Sequence, residues 1–411
     1  MSSLIRGVQK LTSVEKALAA YGVDAFVRQR VSEPQTLLDI SQLWDDRPEL
    51  MNTLEANGGT ATHSVNTAST KMAVTTSAGS RVVRQSRRYC TYQPGKSLLI
   101  KCTGVLIDDE ANTGVRTRMG YFDEHSDKSV DSGGDGIFVQ WQDGTVSLNK
   151  RSYVTGSQSD STIAQSSWNL DKLDGSGPSG KTLDPTKSMI FFIDLEWLGV
   201  GTVACGFIID RVPYYVHYFH HANLITGVYM RRATLPIRYE IEQITGANTA
   251  EMEQICATVI SEGGHTPLSN QRSFHMSTPV TMTATEAPIL AIKPKTGYER
   301  ITYFPTAVKA AATTNDSFIW RLYAGGSLSS GTYSSVSQEM EASINPSGYT
   351  LGRELDGGYI SSQGRAGSVS QGAIDSIGSE IDGTPDLLVV TIQSLSGNVN
   401  CVAGMTWQGT K

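Results

Sequence analysis

"MIFFIDLEW", Met189 to Trp197, decides the fold class. Its odd positions, Met189, Phe191, Ile193, Leu195 and Trp197, are apolar, while Asp194 and Glu196 share the other side. A period of two marks a strand with one face in a core and the other toward solvent. Similar apolar or aromatic runs flank it: "KSLLIKCTGVLI", "GIFVQWQDGTVSLNKRSYV", "TVACGFIIDRVPYYVHYF" and "LPIRYEIEQI". Asp143-Gly144, inside the second run, predicts a tight hairpin because both residues tolerate the positive φ of a primed turn. From Arg87 to about Gly264 the chain therefore reads as strands.

The totals agree with that reading. The chain has 411 residues, enough for two or three domains, with 39% hydrophobic and 18% charged residues, 40 glycines and a net charge of −6. Low charge with plentiful Gly, Ser and Thr favours short strands joined by turns. The acidic balance argues against a nucleic-acid binder. Arg81, Arg84, Arg87 and Arg88 form the one basic run, read as a solvated or interface strand rather than a phosphate contact. The five cysteines (Cys90, Cys102, Cys205, Cys256, Cys401) are scattered, with no C-x-x-C pair, which reads as free thiols rather than a zinc site. Neither a secretory signal nor an apolar run of about 20 residues is visible, so no membrane partner is expected.

Ahead of the strands, Thr12 and Glu15 have capping-box spacing and Gly22 can end the turn sequence, which predicts a short N-terminal helix. Val31 to Ser86 carries small polar residues and little to pack, and reads as an extended arm ordered by its neighbours. A Ser/Thr-rich joint near Pro267–Thr285 leads to a third segment with "APILAIKPKTGYERITYFPTAV", "SFIWRLYAGG" and "DLLVVTIQSLSG", read as a second β-domain. No fixed-period repeat is present. The expected architecture is mainly β: two β-sandwich or jelly-roll-like domains behind a short helix and arm. Its units are 1–86 (helix and assembly arm), 87–265 (core sandwich) and 266–411 (C-terminal β-domain).

Four motifs suggest chemistry. Gly175 to Thr182 fits G-x-x-x-x-G-K-[ST], a nucleotide-phosphate pattern. Its context fails: no buried strand precedes it, and six residues including Pro185 separate it from the next strand, leaving no room for the phosphate-binding helix. The glycines read as a turn. His217, His220 and His221 in "HYFHH" tempt as metal ligands, but on a strand the first two face opposite ways and His217 and His221 stand about 13 Å apart, so structural histidines are expected; a strand ending near Phe219 would instead let His220 and His221 face a cleft with Asn223. Asp194 and Glu196, about 6.6 Å apart by strand rise, suit a glycosidase pair, yet exposed strand faces carry such pairs routinely. No nucleophile elbow is present. The aromatics of "PYYVHYF" can stack on sugars, and equally form core or subunit interface. No catalytic, cofactor or metal residues are assigned, and no enzyme is expected.

Three stretches carry a resemblance: "YQPGKSLLIKCTGVL" (Tyr92–Leu106), "AQSSWNLDKLDGSGPSGKTLDPTKSMIFFIDLEWLGVGTVACGFIID" (Ala164–Asp210) and "NLITGVYMRRATLPIRYEI" (Asn223–Ile241). "RVSEPQTLLDISQLWDD" (Arg30–Asp46), "ICATVISEGG" (Ile255–Gly264) and "DGTPDLLVVTIQSLSG" (Asp382–Gly397) extend it. The chain resembles a family of virion structural proteins of tailed bacteriophages, especially marine ones, and of large DNA viruses. Lys181 departs from the family's usual apolar residue, and Asp210-Arg211 from its usual Asp-Gly turn. The resemblance implies a building block of a phage or virus particle, assembled in the host cytoplasm into a homo-oligomer that docks on other virion proteins. Tail, fibre or baseplate is favoured over a capsid decoration or minor capsid role. The alternative is a host-surface carbohydrate binder, with the C-terminal Gly/Ser-rich loops as its recognition surface and host-surface glycan as partner.

Overall fold

The computed structural model describes residues 32–124, 134–266, 271–298, 300–361, 367–368 and 376–410. The helix expected at Thr12–Gly22 lies outside them. Among the described residues the helical structure is one 3-10 turn, Gln165–Ser167, and the rest of the regular structure is strand.

Fifteen of the described strands build a first β-sandwich. They are β1 (Gln35–Ser41), β2 (Met51–Ala56), β3 (Thr60–Ser64), β4 (Ser69–Val74), β5 (Arg81–Ser86), β6 (Leu98–Val105), β7 (Val115–Phe122), β8 (Gly136–Gln142), β9 (Thr145–Ser152), β10 (Ser159–Ala164), β11 (Met189–Leu195), β12 (Val203–Ile209), β13 (Val212–Phe219), β14 (Ile237–Gln243) and β15 (Ala250–Ser261). One sheet runs β13-β12-β11-β6-β15-β4-β3, and the other β10-β9-β8-β7-β14-β5-β2. β15 is long enough to take β4 on its first half and β1 on its second, with Gln35 opposite Ser261. The inward faces interdigitate as one core: Ile100, Cys102, Phe191, Ile193 and Phe207 from the first sheet, and Met119, Tyr121, Ile137, Trp141 and Ile241 from the second. Burying such side chains contributes about 1.5–3 kcal/mol each, which makes this core the main source of stability.

The expectation of a coreless arm over Val31–Ser86 is corrected for the described residues. Residues 35–86 supply β1 to β5, with Leu38, Ile40, Met51, Met72, Val74 and Val82 buried. Each of these short strands brings only one to three apolar groups, so none packs alone. β1 and β4 pair with β15 and β5 with β14, all far downstream, where a local reading does not find them, and β2 and β3 join the sheets through β5 and β4. The Asp143-Gly144 hairpin does form, with φ of 48° and 76°. Asp210-Arg211 makes the same kind of turn with φ of 51° and 70°, at a cost that glycine would avoid.

The second unit is also a sandwich. One sheet is centred on Thr302–Ala312 and Val399–Thr410, the other on Ala287–Pro294, Leu388–Ser394 and Phe318–Ala324. Ile292, Trp320, Leu322, Val390, Met405 and Trp407 lie in its separate core. The seam between the sandwiches is polar. Arg87 reaches Glu380 at 2.9 Å and Asp386 at 3.4 Å, Tyr89 N–H donates to Thr302 Oγ1 at 3.1 Å, and Arg300 pairs with buried Asp123.

Candidate functional site

The nucleotide-like loop is a surface turn. Asp174 bridges Thr182, Gly175 N–H donates to Lys181 O at 3.0 Å, and Asp171 accepts the Ser179 N–H at 2.8 Å. Lys181, which would hold a phosphate, instead pairs with Asp210 at 2.9 Å in the open. The basic run is likewise divided among separate partners. Arg81 pairs with Glu240; Arg84 is buried between the sheets against Gln254 and Thr53; Arg87 and Arg88 reach the domain seam. Among the described residues all five cysteines are free, with Cys256 exposed and the others buried.

The histidines separate, with His217 on β13 and His220 and His221 just past its end at Phe219. His217 points inward, accepts the Asn169 N–H at 3.3 Å and lies edge-on to Phe219. Burial lowers its pKa to about 4, with smaller contributions from His220 and Lys150. His221 is buried too, flat against Tyr229 at 3.8 Å. Its Nδ1–H donates to Gly201 O at 2.8 Å, which leaves Nε2 to accept from Lys150 Nζ at 2.8 Å. Burial is the main cause that lowers the pKa of both partners.

His220 points the other way and ends a row of rings on the outer face of the first sheet. This row is the candidate site. It begins at Gly206 on β12. A side chain there would meet Tyr214 O and come within 2.5 Å of Phe192 Cζ, so the missing Cβ lets the Phe192 ring lie across the strand. Tyr215 stands edge-on to Phe192 at 5.0 Å, Tyr218 to Tyr215 at 5.9 Å, and His220 to Tyr218 at 5.7 Å.

Tyr215 and Tyr218 are three residues apart, and strict alternation would put them on opposite faces. A β-bulge resolves this: Cys205 faces His217 and Gly206 faces Tyr215, leaving Val216 extra and buried in the core. Asn169 holds the bulged edge in place. Its Nδ2 donates to Tyr218 O and its Oδ1 accepts the Tyr218 N–H, both at 2.9 Å, while Leu170 N–H reaches Val216 O at 3.1 Å.

Asp194 lies beside the row, half-buried on the same outward face, with Glu196 exposed next to it. Burial pushes the Asp194 carboxyl up, and the nearby Glu262 and Glu196 add to the shift. Tyr215 is raised by burial and by the same Asp194. Among the described residues, no hydrogen-bond donor or cation pairs with Asp194 or Glu196. The two carboxylates that the alternation places together are therefore unpaired acceptors beside an aromatic row. The sequence gives no local signal for the bulge that completes it. The C-terminal Gly/Ser-rich segments form a ribbon, Ser327–Ser330 against Ser347–Thr350, and its Tyr349 hydroxyl is engaged with Gly325 O and Gly352 N.

No family model matches this chain, and no curated protein matches it. Among solved structures it is similar to the Emp47p carbohydrate recognition domain, at 10% identity and a TM-score of 0.35 over 58% of this chain and 99% of that one. It is similar to a legume lectin-like domain from Entamoeba histolytica, at 10% identity and a TM-score of 0.33 over 56% and 98%. An endo-1,3-beta-glucanase from Streptomyces sioyaensis gives 9% identity and a TM-score of 0.37 over 58% and 99%.

Proposed function

We propose that this protein binds glycans on the outer face of β11, β12 and β13, without cleaving them. The observation that carries the reading is the bulge at Val216. It turns Tyr215 and Tyr218 to the same side as Asp194, and so joins apolar ring surface to unpaired acceptors. Sugars present that combination in reverse: a face of C–H groups that packs on rings, and a rim of hydroxyls that donate to carboxylates. Tyr215 is 38% exposed, which leaves ring surface to cover.

The test is retention of the full chain on immobilised neutral and acidic polysaccharides, with reducing-end release followed in parallel. The expected result is saturable binding that falls at least about tenfold in Tyr215→Ala/Tyr218→Ala, the loss of roughly 1.4 kcal/mol or more. No reducing ends should appear. Absence of retention, or a double variant that binds like the wild type, overturns the reading.

The setting we propose for this activity is a virion, where the protein assembles with copies of itself and with other structural proteins. The motif blocks at Tyr92–Leu106, Ala164–Asp210 and Asn223–Ile241 support it. Light scattering should then give a closed oligomer rather than a monomer.

A further inference from the structure

A groove runs along the seam between the sandwiches. Its inner part, about 240 Å³, is lined by Leu37, Arg88, Tyr89, Cys90, Phe304 and Gln408 among others. Its outer part, about 500 Å³, is lined by Glu33, Lys96 and Gly263–Thr266. Gln35 and His265 line both parts, so the two adjoin.

The walls are fixed by side-chain hydrogen bonds. Gln35 Oε1 accepts the His265 N–H at 3.1 Å. Gln93 Oε1 accepts the Thr266 N–H at 3.0 Å and Lys96 Nζ at 2.8 Å, while its Nε2 donates to Thr266 O. Gly263 is required here: an added Cβ would stand 2.7 Å from Lys96 Cγ. The groove is therefore built before any ligand arrives, as small-molecule sites at domain seams commonly are.

Its lining carries two cations, Arg88 and Lys96, against one acid in a protein of net charge −6. Arg88 gives one N–H to Leu37 O and lays its guanidinium 4.9 Å over the Phe304 ring. Among the described residues neither Arg88 nor Lys96 pairs with a carboxylate, and Glu33 is the one acid lining the groove. Among the described residues, His265 Nδ1 is buried with no hydrogen-bond partner. A buried polar atom left this way is destabilising, and a ligand can supply the missing bond. The Cys90 thiol is pushed up to about 12 by burial, so it adds no negative charge.

We propose that this groove binds a monosaccharide-sized organic carboxylate, its charge held by Arg88 and Lys96 and its body against Leu37, Tyr89 and Phe304. The planar fork of Arg88 suits a carboxylate, and the ring walls suit a body of either sugar C–H groups or an aromatic ring. None of the groove's lining residues belongs to the Tyr215–Tyr218 row.

Titration calorimetry of the full chain with glucuronate and with benzoate distinguishes the two bodies. At least one should bind saturably, one per chain. Arg88→Gln should weaken it at least tenfold and Lys96→Gln several-fold, while Tyr218→Ala leaves it unchanged. Silence from both probes, or an affinity that Arg88→Gln does not alter, overturns the proposal. If Arg88→Gln does not fold, Lys96→Gln decides, and an unchanged affinity there overturns it too. Loss with Tyr218→Ala alone assigns the binding to the aromatic row and also overturns it.

Discussion

At the scale of single residues, the buried histidines set the response to acid. His217 and His221 are both held neutral, so their folded pKa values lie below the ordinary 6.5. The unfolded chain takes up protons near 6.5, and the folded one resists until about 4 at His217. Stability is therefore complete above about pH 6.5 and is lost as pH falls from there toward 4. At about 1.4 kcal/mol per tenfold in proton affinity, His217 alone accounts for roughly 3 kcal/mol of that loss. His221 acts in the same direction, because its protonation would leave two cations 2.8 Å apart at Lys150. Urea titrations at pH 7 and pH 4.5 should show the midpoint falling, and His217→Gln should flatten that fall. A midpoint independent of pH over this range contradicts the account. The inward and outward alternation of these histidines is legible in "HYFHH"; the partners Lys150 and Gly201 are not, since tertiary packing alone brings them near.

At the scale of elements, the sequence announces what is local and conceals what is distant. β11 is readable because Met189, Phe191, Ile193 and Leu195 alternate without interruption. The β8–β9 hairpin is readable because its turn chemistry lies within the run. β1, β4 and β5 are not, since they enter their sheets by pairing with the distant β15 and β14, and β2 and β3 follow through β5 and β4. The bulge of β13 is hidden for a related reason: Val216 becomes extra only relative to Cys205 and Gly206 opposite. The β12–β13 turn offers a direct check. Arg211 sits at φ 70°, where a side chain is strained and glycine is not. Arg211→Gly should therefore stabilise the protein by about 0.5–1 kcal/mol, with the Lys181–Asp210 pair intact. A lower denaturation midpoint would show that the turn is not limiting.

At the scale of the whole molecule, two cores are joined by a seam of charge rather than by shared apolar surface. Asp123, 2% exposed, pairs with Arg300, 7% exposed, and the carboxylate also accepts the Asp135 N–H at 3.0 Å. Removing one partner of such a pair strands the other charge, at a cost of about 3–5 kcal/mol. Asp123→Asn should then separate calorimetric unfolding into two transitions, with the C-terminal sandwich keeping its own midpoint. A single transition shifted as a unit would mean that the rest of the seam suffices. The placement of β1 has a consequence for synthesis. It pairs at Gln35 with Ser261, a partner translated 226 residues later. At about 5–20 residues per second, a ribosome needs roughly 10–45 s to cover that distance. Until β15 emerges, β6 lacks one of its two neighbours, and the emerging chain offers an unclosed sheet to chaperones and to other nascent copies of itself.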